Sequence, residues 1–105
     1  MVTSIPVSEF INPKPGSRAY NAVSRAITIK PDVRFIGKFG RGRGERYFRV
    51  ICEGRDRRCV ILWKDAISQE QVASCNCPAH YIPQNPTPCL HIAAALIYEA
   101  KEKQQ

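Results

Sequence analysis

Three cysteines and one histidine in the C-terminal third carry the chemistry most legible in this chain. They arrive as Cys75-Asn76-Cys77 and Cys89-Leu90-His91, two close pairs separated by eleven residues. Thiolate sulfur and neutral imidazole nitrogen are the ligands that tetrahedral Zn²⁺ takes in closed structural sites. Each pair can grip one ion at little ordering cost, because the chain already holds its two members together. A disulfide between Cys75 and Cys77 is disfavoured, since a single intervening residue strains the bridge. His80, three residues beyond Cys77, is a rival ligand; His91 is preferred because it completes the second pair. Cys89 and His91 also have the types of a nucleophile and its base, but nothing in the sequence supplies an orienting acid or an oxyanion hole. A Cys₃His set leaves zinc no open position for water, so the reading is a non-enzymatic one with a single structural Zn²⁺.

The elements that must position these ligands come next. Pro78, Pro83, Pro86 and Pro88 mark the stretch between the pairs as loop. Thr87 is a good N-cap and Pro88 suits the first helical position, which predicts a helix over about 88–101 with Cys89 and His91 in its opening turn. Leu90, Ala93, Ala94 and Ile97 recur at helical spacing on one face. Upstream, residues 33–39, 46–52 and 59–63 read as β-strands, with Val33, Phe35 and Phe39 on related faces and Cys52 and Cys59 as strand residues outside the metal set. Residues 40–44 and 53–58 are turns by composition, residues 65–71 a loop or single helical turn, and Val72-Ala73-Ser74 a last strand delivering Cys75 and Cys77. Ser17 caps a short helix over residues 18–23, and residues 26–29 read as a short strand stopped at Pro31. Trp63 is expected mostly in the core.

The sum is an α+β domain: a small antiparallel β-meander, a zinc-binding loop and a C-terminal helix. Residues 1–17, with prolines at 6, 13 and 15, form an extended arm whose apolar Val2, Ile5, Val7, Phe10 and Ile11 suit docking. Residues 18–105 form one domain, with the metal motif over residues 75–91.

Cys-x-Cys, a variable loop, Cys-x-His and a following alanine-rich helix together resemble a SWIM zinc finger, a family of chromatin-remodelling ATPases, mutator-type transposases and recombination-accessory proteins. The resemblance places Cys75, Cys77, Cys89 and His91 on the four ligand positions and Ala94 on an alanine three residues after the histidine. It covers about a quarter of the chain, and the strand-rich region before it is compatible with the ββα-like core of that family. It implies a stand-alone DNA-binding or protein-binding zinc module.

Composition agrees with an anionic partner. The chain has 105 residues, 16 Lys and Arg against 9 Asp and Glu, and a formal net charge of +7, the balance of a nucleic-acid binder. Arg41, Arg43 and Arg46 flank one hairpin tip, and Arg55, Arg57 and Arg58 the other; guanidinium groups at such tips suit phosphate contact. Consecutive hairpin tips of a meander point to opposite ends, which tells against one continuous patch. DNA ranks ahead of RNA. The alternative is a protein-interaction adaptor, such as an accessory subunit of a recombination, repair or transposition complex, making contact through the arm or the face around Tyr81 and Ile82. No leader pattern and no run long enough to span a bilayer are visible, so a soluble intracellular protein with no membrane or small-molecule partner is expected.

Overall fold

The computed structural model describes residues 5–39, 44–52, 56–76 and 89–103. Its centre is a five-stranded antiparallel sheet in the order β1-β5-β4-β3-β2. The strands are β1 (Ile5–Pro6), β2 (Asp32–Phe39), β3 (Glu45–Cys52), β4 (Asp56–Lys64) and β5 (Gln71–Cys75). From β2 to β5 each strand pairs with its sequence neighbour, as a meander does. The first strand comes instead from the N-terminal arm: Ile5 pairs with Ala73 and Pro6 with Val72. A 3₁₀ turn over Val7–Phe10 follows. Ile5 and Phe10 are buried in the main core, so the arm docks on the outer edge of β5.

Two helices accompany the sheet, α1 (Arg18–Ile29) and α2 (Leu90–Lys103). Gly16 turns the chain into α1 at φ +87°, a conformation that glycine adopts without a Cβ penalty. The Ser17 hydroxyl oxygen then accepts from the Tyr20 N–H at 3.1 Å, satisfying one of the otherwise unpaired first-turn donors. The helix runs on through residues 26–29, although β-branched Ile27, Thr28 and Ile29 locally favour a strand. Packing overrides propensity here: Ala19, Ala22 and Ala26 are buried at helical spacing and let α1 press against α2. The stop lies one residue later, where Lys30 takes a left-handed conformation (φ +53°) and its N–H reaches the Ala26 carbonyl, just before Pro31.

The register sorts the sheet into two faces. Phe48, Val50, Val60, Leu62, Ala73 and Cys75 lie on one, all buried. α2 covers this face, with Tyr98 edge-on to Phe48 at a centroid separation of 6.1 Å. His91, Ile92, Ala93, Ala94 and Ala95 are consecutive and all buried, so the start of α2 is enclosed all round rather than along one stripe. The reason is that α2 packs against both the sheet and α1. Arg46, on the same face as Phe48, sets its Nε 2.7 Å from Glu99 Oε2 of α2 and its Nη2 3.1 Å from Gln71 Oε1.

The opposite face carries Tyr47, Arg49 and Ile51 of β3, Arg57, Cys59, Ile61 and Trp63 of β4, and Arg34 of β2. Arg34, Arg49, Arg57 and Cys59 are exposed there, and Tyr47, Ile51, Ile61 and Trp63 are half-buried. Trp63 therefore flanks this outer face instead of filling the core. β4 also begins earlier than the composition suggests, so Arg57 and Arg58 are strand residues, pairing with Ile51 and Val50, rather than turn residues. Among the described residues no helix is long and apolar enough to cross a membrane.

Candidate metal centre

β5 ends on Cys75, whose register partner is Val60, and its inward-facing side chain is only 2 % exposed. The helix α2 begins at Leu90, one residue after Cys89, and the Ala93 N–H donates to the Cys89 carbonyl at 3.2 Å. Cys89 thus sits at the mouth of the helix and His91 in its first turn, each 6 % exposed. The strand end and the helix start meet so that the ligand atoms of Cys75, Cys89 and His91 all lie within 4.8 Å of one another. Tetrahedral bonds of about 2.3 Å to sulfur and about 2.0–2.1 Å to nitrogen place neighbouring ligand atoms roughly 3.5–3.8 Å apart. The trio is therefore within about 1 Å of coordinating spacing, and these residues could bind a metal ion. Cys75 and Cys89 are thiols, not a disulfide. The helix packing against the sheet brings them together; the sequence separation of fourteen residues alone does not.

The fourth candidate ligand, Cys77, and the rival His80 lie outside the described residues, as do Thr87 and Pro88, expected to cap the helix, and the expected contact residues Tyr81 and Ile82. What is described is the residue between Cys75 and Cys77. Asn76 Oδ1 accepts from the Cys59 N–H at 3.0 Å, and the Asn76 N–H donates to the Cys59 carbonyl at 3.3 Å. Both contacts clamp Asn76 to β4 and extend the β4–β5 ladder to the spacer of the Cys-x-Cys pair. The direction in which the chain leaves Cys75 is thereby fixed. Sequence reasoning passed over Asn76; the usable signal was its amide, whose oxygen can bond a neighbouring backbone N–H.

Cys59 itself is exposed on the outer face of the sheet and does not join the trio, and Cys52 ends β3. The arginines named from the sequence are not gathered in one place. Arg46 lies near one end of β3, held by Glu99 and Gln71 on the helix side. Arg57 and Arg58 are beside the other end, opposite Ile51 and Val50, four to five residues along β3 and so roughly 14–17 Å away. Arg57 is exposed on the outer face, whereas Arg58 is half-buried on the helix side. Arg41, Arg43 and Arg55 fall outside the described residues.

The ionisation of two side chains responds to neighbours. Tyr47 donates its hydroxyl to Glu45 Oε2 at 2.9 Å, which pushes the phenol above its ordinary value. Asp65 closes the β4–β5 loop: the Ser68 hydroxyl donates to its carboxylate at 3.0 Å and holds the group below the usual carboxylate range, with a smaller contribution from the Ile67 N–H. Neither group belongs to the Cys75, Cys89 and His91 cluster.

Comparison with protein-family models, with curated proteins and with solved structures finds no match to this chain.

Proposed function

We propose that this chain is a non-catalytic, zinc-stabilised module that binds nucleic acid, DNA ahead of RNA. The observation that carries the reading is the buried Cys75, Cys89 and His91 trio with Cys77 two residues beyond Cys75. Two thiolates and an imidazole from a strand end and a helix start, joined by a third thiolate, make the closed Cys₃His set that suits Zn²⁺ over harder cations. Four protein ligands leave no coordination position for a reacting water, which favours a structural ion. The SWIM-like pattern of Cys75, Cys77, Cys89 and His91 supports the same assignment. A net charge of +7 supports a polyanionic partner.

Two measurements test this reading. Elemental analysis of the purified chain should give one zinc per molecule, and Cys89→Ser should lose it. Anisotropy titrations with single- and double-stranded DNA and RNA should show binding that weakens steeply with salt as counterions are released. Titrations flat between low and moderate salt would refute the nucleic-acid assignment while leaving the metal site standing.

A further inference from the structure

The sheet face turned away from both helices holds basic and aromatic groups in a fixed order. Arg34 of β2 stands directly opposite Arg49 of β3, and Arg49 opposite Cys59 of β4. One row further, Arg57 stands opposite Ile51 and diagonal to Arg49. One row the other way, Tyr47 faces Ile61, and Trp63 lies diagonal to Tyr47. Cross-strand partners bring Cβ atoms about 4.5–5.5 Å apart and diagonal neighbours about 7–8 Å. Three guanidinium groups and two aromatic rings therefore share a patch a few residues wide.

This arrangement is unfavourable for the isolated chain. Like charges directly opposite on a sheet repel, yet Arg34 and Arg49 are so placed. Asp32 offsets part of that charge, 3.2 Å from the Arg34 Nε, but both side chains are more than half exposed (71 % and 56 %) and the contact is screened by water. Arg49 and Arg57 are exposed and make no ion pair among the described residues. A further acid on this face, Glu45, is engaged by the Tyr47 hydroxyl, which fixes the ring by its tip.

We propose that this face, rather than the hairpin tips, is the nucleic-acid site, and that its ligand is a single strand lying across β2, β3 and β4. The proposal rests on the nucleic-acid reading above and specifies its surface and strand form. Arg34, Arg49 and Arg57 take the backbone phosphates, while Trp63, half-buried on the same face, offers its exposed part to unpaired bases. Stacking of that kind requires bases free of a duplex. Single-stranded DNA and RNA share the recognised chemistry.

Trp63 is the chain's one tryptophan, so its fluorescence reports on this face alone. The metal-loaded full chain is titrated with oligo(dT), oligo(U) and a duplex of equal length at two salt concentrations. Saturable quenching by the single strands, at least tenfold tighter than by the duplex, is expected; the tighter of the two homopolymers names the sugar. The Arg34→Ala, Arg49→Ala, Arg57→Ala triple variant should weaken binding at least tenfold. It should also flatten the salt slope by about 2, because each neutralised phosphate of a single strand adds roughly 0.7 to that slope. The Arg41→Ala, Arg43→Ala, Arg55→Ala variant should bind as the parent does. Circular dichroism and zinc content show that each variant is folded.

Binding that persists without quenching and is abolished in the tip variant overturns this placement and spares the nucleic-acid reading. Equal affinity for duplex overturns the single-strand assignment. No binding to any oligonucleotide at low salt overturns both. Quenching by an acidic peptide but by no oligonucleotide reassigns the face to a protein partner.

Discussion

Stripping the metal, or replacing Cys89 by serine, should release the start of α2 from the end of β5. The size of the effect follows from where the ligands sit. Cys75 and Cys89 are fourteen residues apart, and both are almost completely buried. An ion joining them acts as a cross-link, and a tie closing a loop of about 15 residues is worth about 3 kcal/mol in chain entropy. The start of α2 contributes Ile92, Ala93, Ala94 and Ala95 to the core, so its loosening is not confined to the loop. At about 4–8 °C per kcal/mol for a domain near this size, the midpoint of thermal unfolding should fall by about 12–24 °C. The assay is circular dichroism melting with and without chelator, paired with thiol titration. Cys59 is exposed and should react with or without metal; Cys75 and Cys89 should react only after chelation. Cys59→Ser should leave both metal content and midpoint unchanged. A chelated chain shown to be metal-free and melting at the same temperature as the loaded one would refute the reasoning, because the trio would then be ordinary buried thiols beside a histidine.

Other consequences can be checked one by one. Asn76→Ala removes the acceptor for the Cys59 N–H and should weaken metal affinity about tenfold, in the range seen when groups supporting metal ligands are removed; competition with a chromophoric chelator measures it. Lys30→Gly relieves a left-handed backbone at the end of α1 and should stabilise by about 1 kcal/mol, read as a higher denaturant midpoint. Glu99→Gln leaves the Arg46 guanidinium, only 20 % exposed, without its carboxylate. The loss should be about 1–3 kcal/mol, between the values for surface and buried pairs, measurable by urea unfolding. Asp65 is held below the ordinary carboxylate value by Ser68 and Ile67. It therefore contributes stability fully present above the unfolded value of 3.8 and lost as pH falls through the lower folded value. Asp65→Asn should flatten that acid limb of the stability profile.

The meander was legible because its strands alternate or run apolar between stretches of glycine-rich and charged sequence. The helix α2 was legible from Leu90, Ala93, Ala94 and Ile97. The Cys/His pairs were legible because ligand type and spacing are local properties, and the structure brings Cys75, Cys89 and His91 together as that pattern anticipated. What escaped depends on interactions between distant residues. Ile27, Thr28 and Ile29 favour a strand locally, and only the burial of Ala22 and Ala26 against α2 makes them helical. Ile5 and Pro6 carry no strand signal until β5 offers an edge. Arg46 reads as one of three arginines around a hairpin, while its partner Glu99 is fifty-three residues away. The outer face is a matter of register: Arg34 and Arg49 are fifteen residues apart in the chain and become neighbours only through pairing.

The pairing of Ile5 with Ala73 has a consequence for the order of folding. The strands β2 to β5 each join a sequence neighbour, which are short closures that form early. Strand β1 must wait for a partner sixty-eight residues downstream, and α2, made later still, also docks near β5. During synthesis, then, β5 emerges before α2, so its cysteine is uncovered, and its outer edge stays open until the waiting β1 closes on it across sixty-eight residues. An open edge is a template for strand addition from another chain. The interval before the N-terminal segment returns and the helix arrives is the period of greatest exposure to misassembly. If the Cys75, Cys89 and His91 cluster takes the proposed ion, scarcity of that ion would lengthen it, and metal supply should govern the yield of folded protein as well as its final stability.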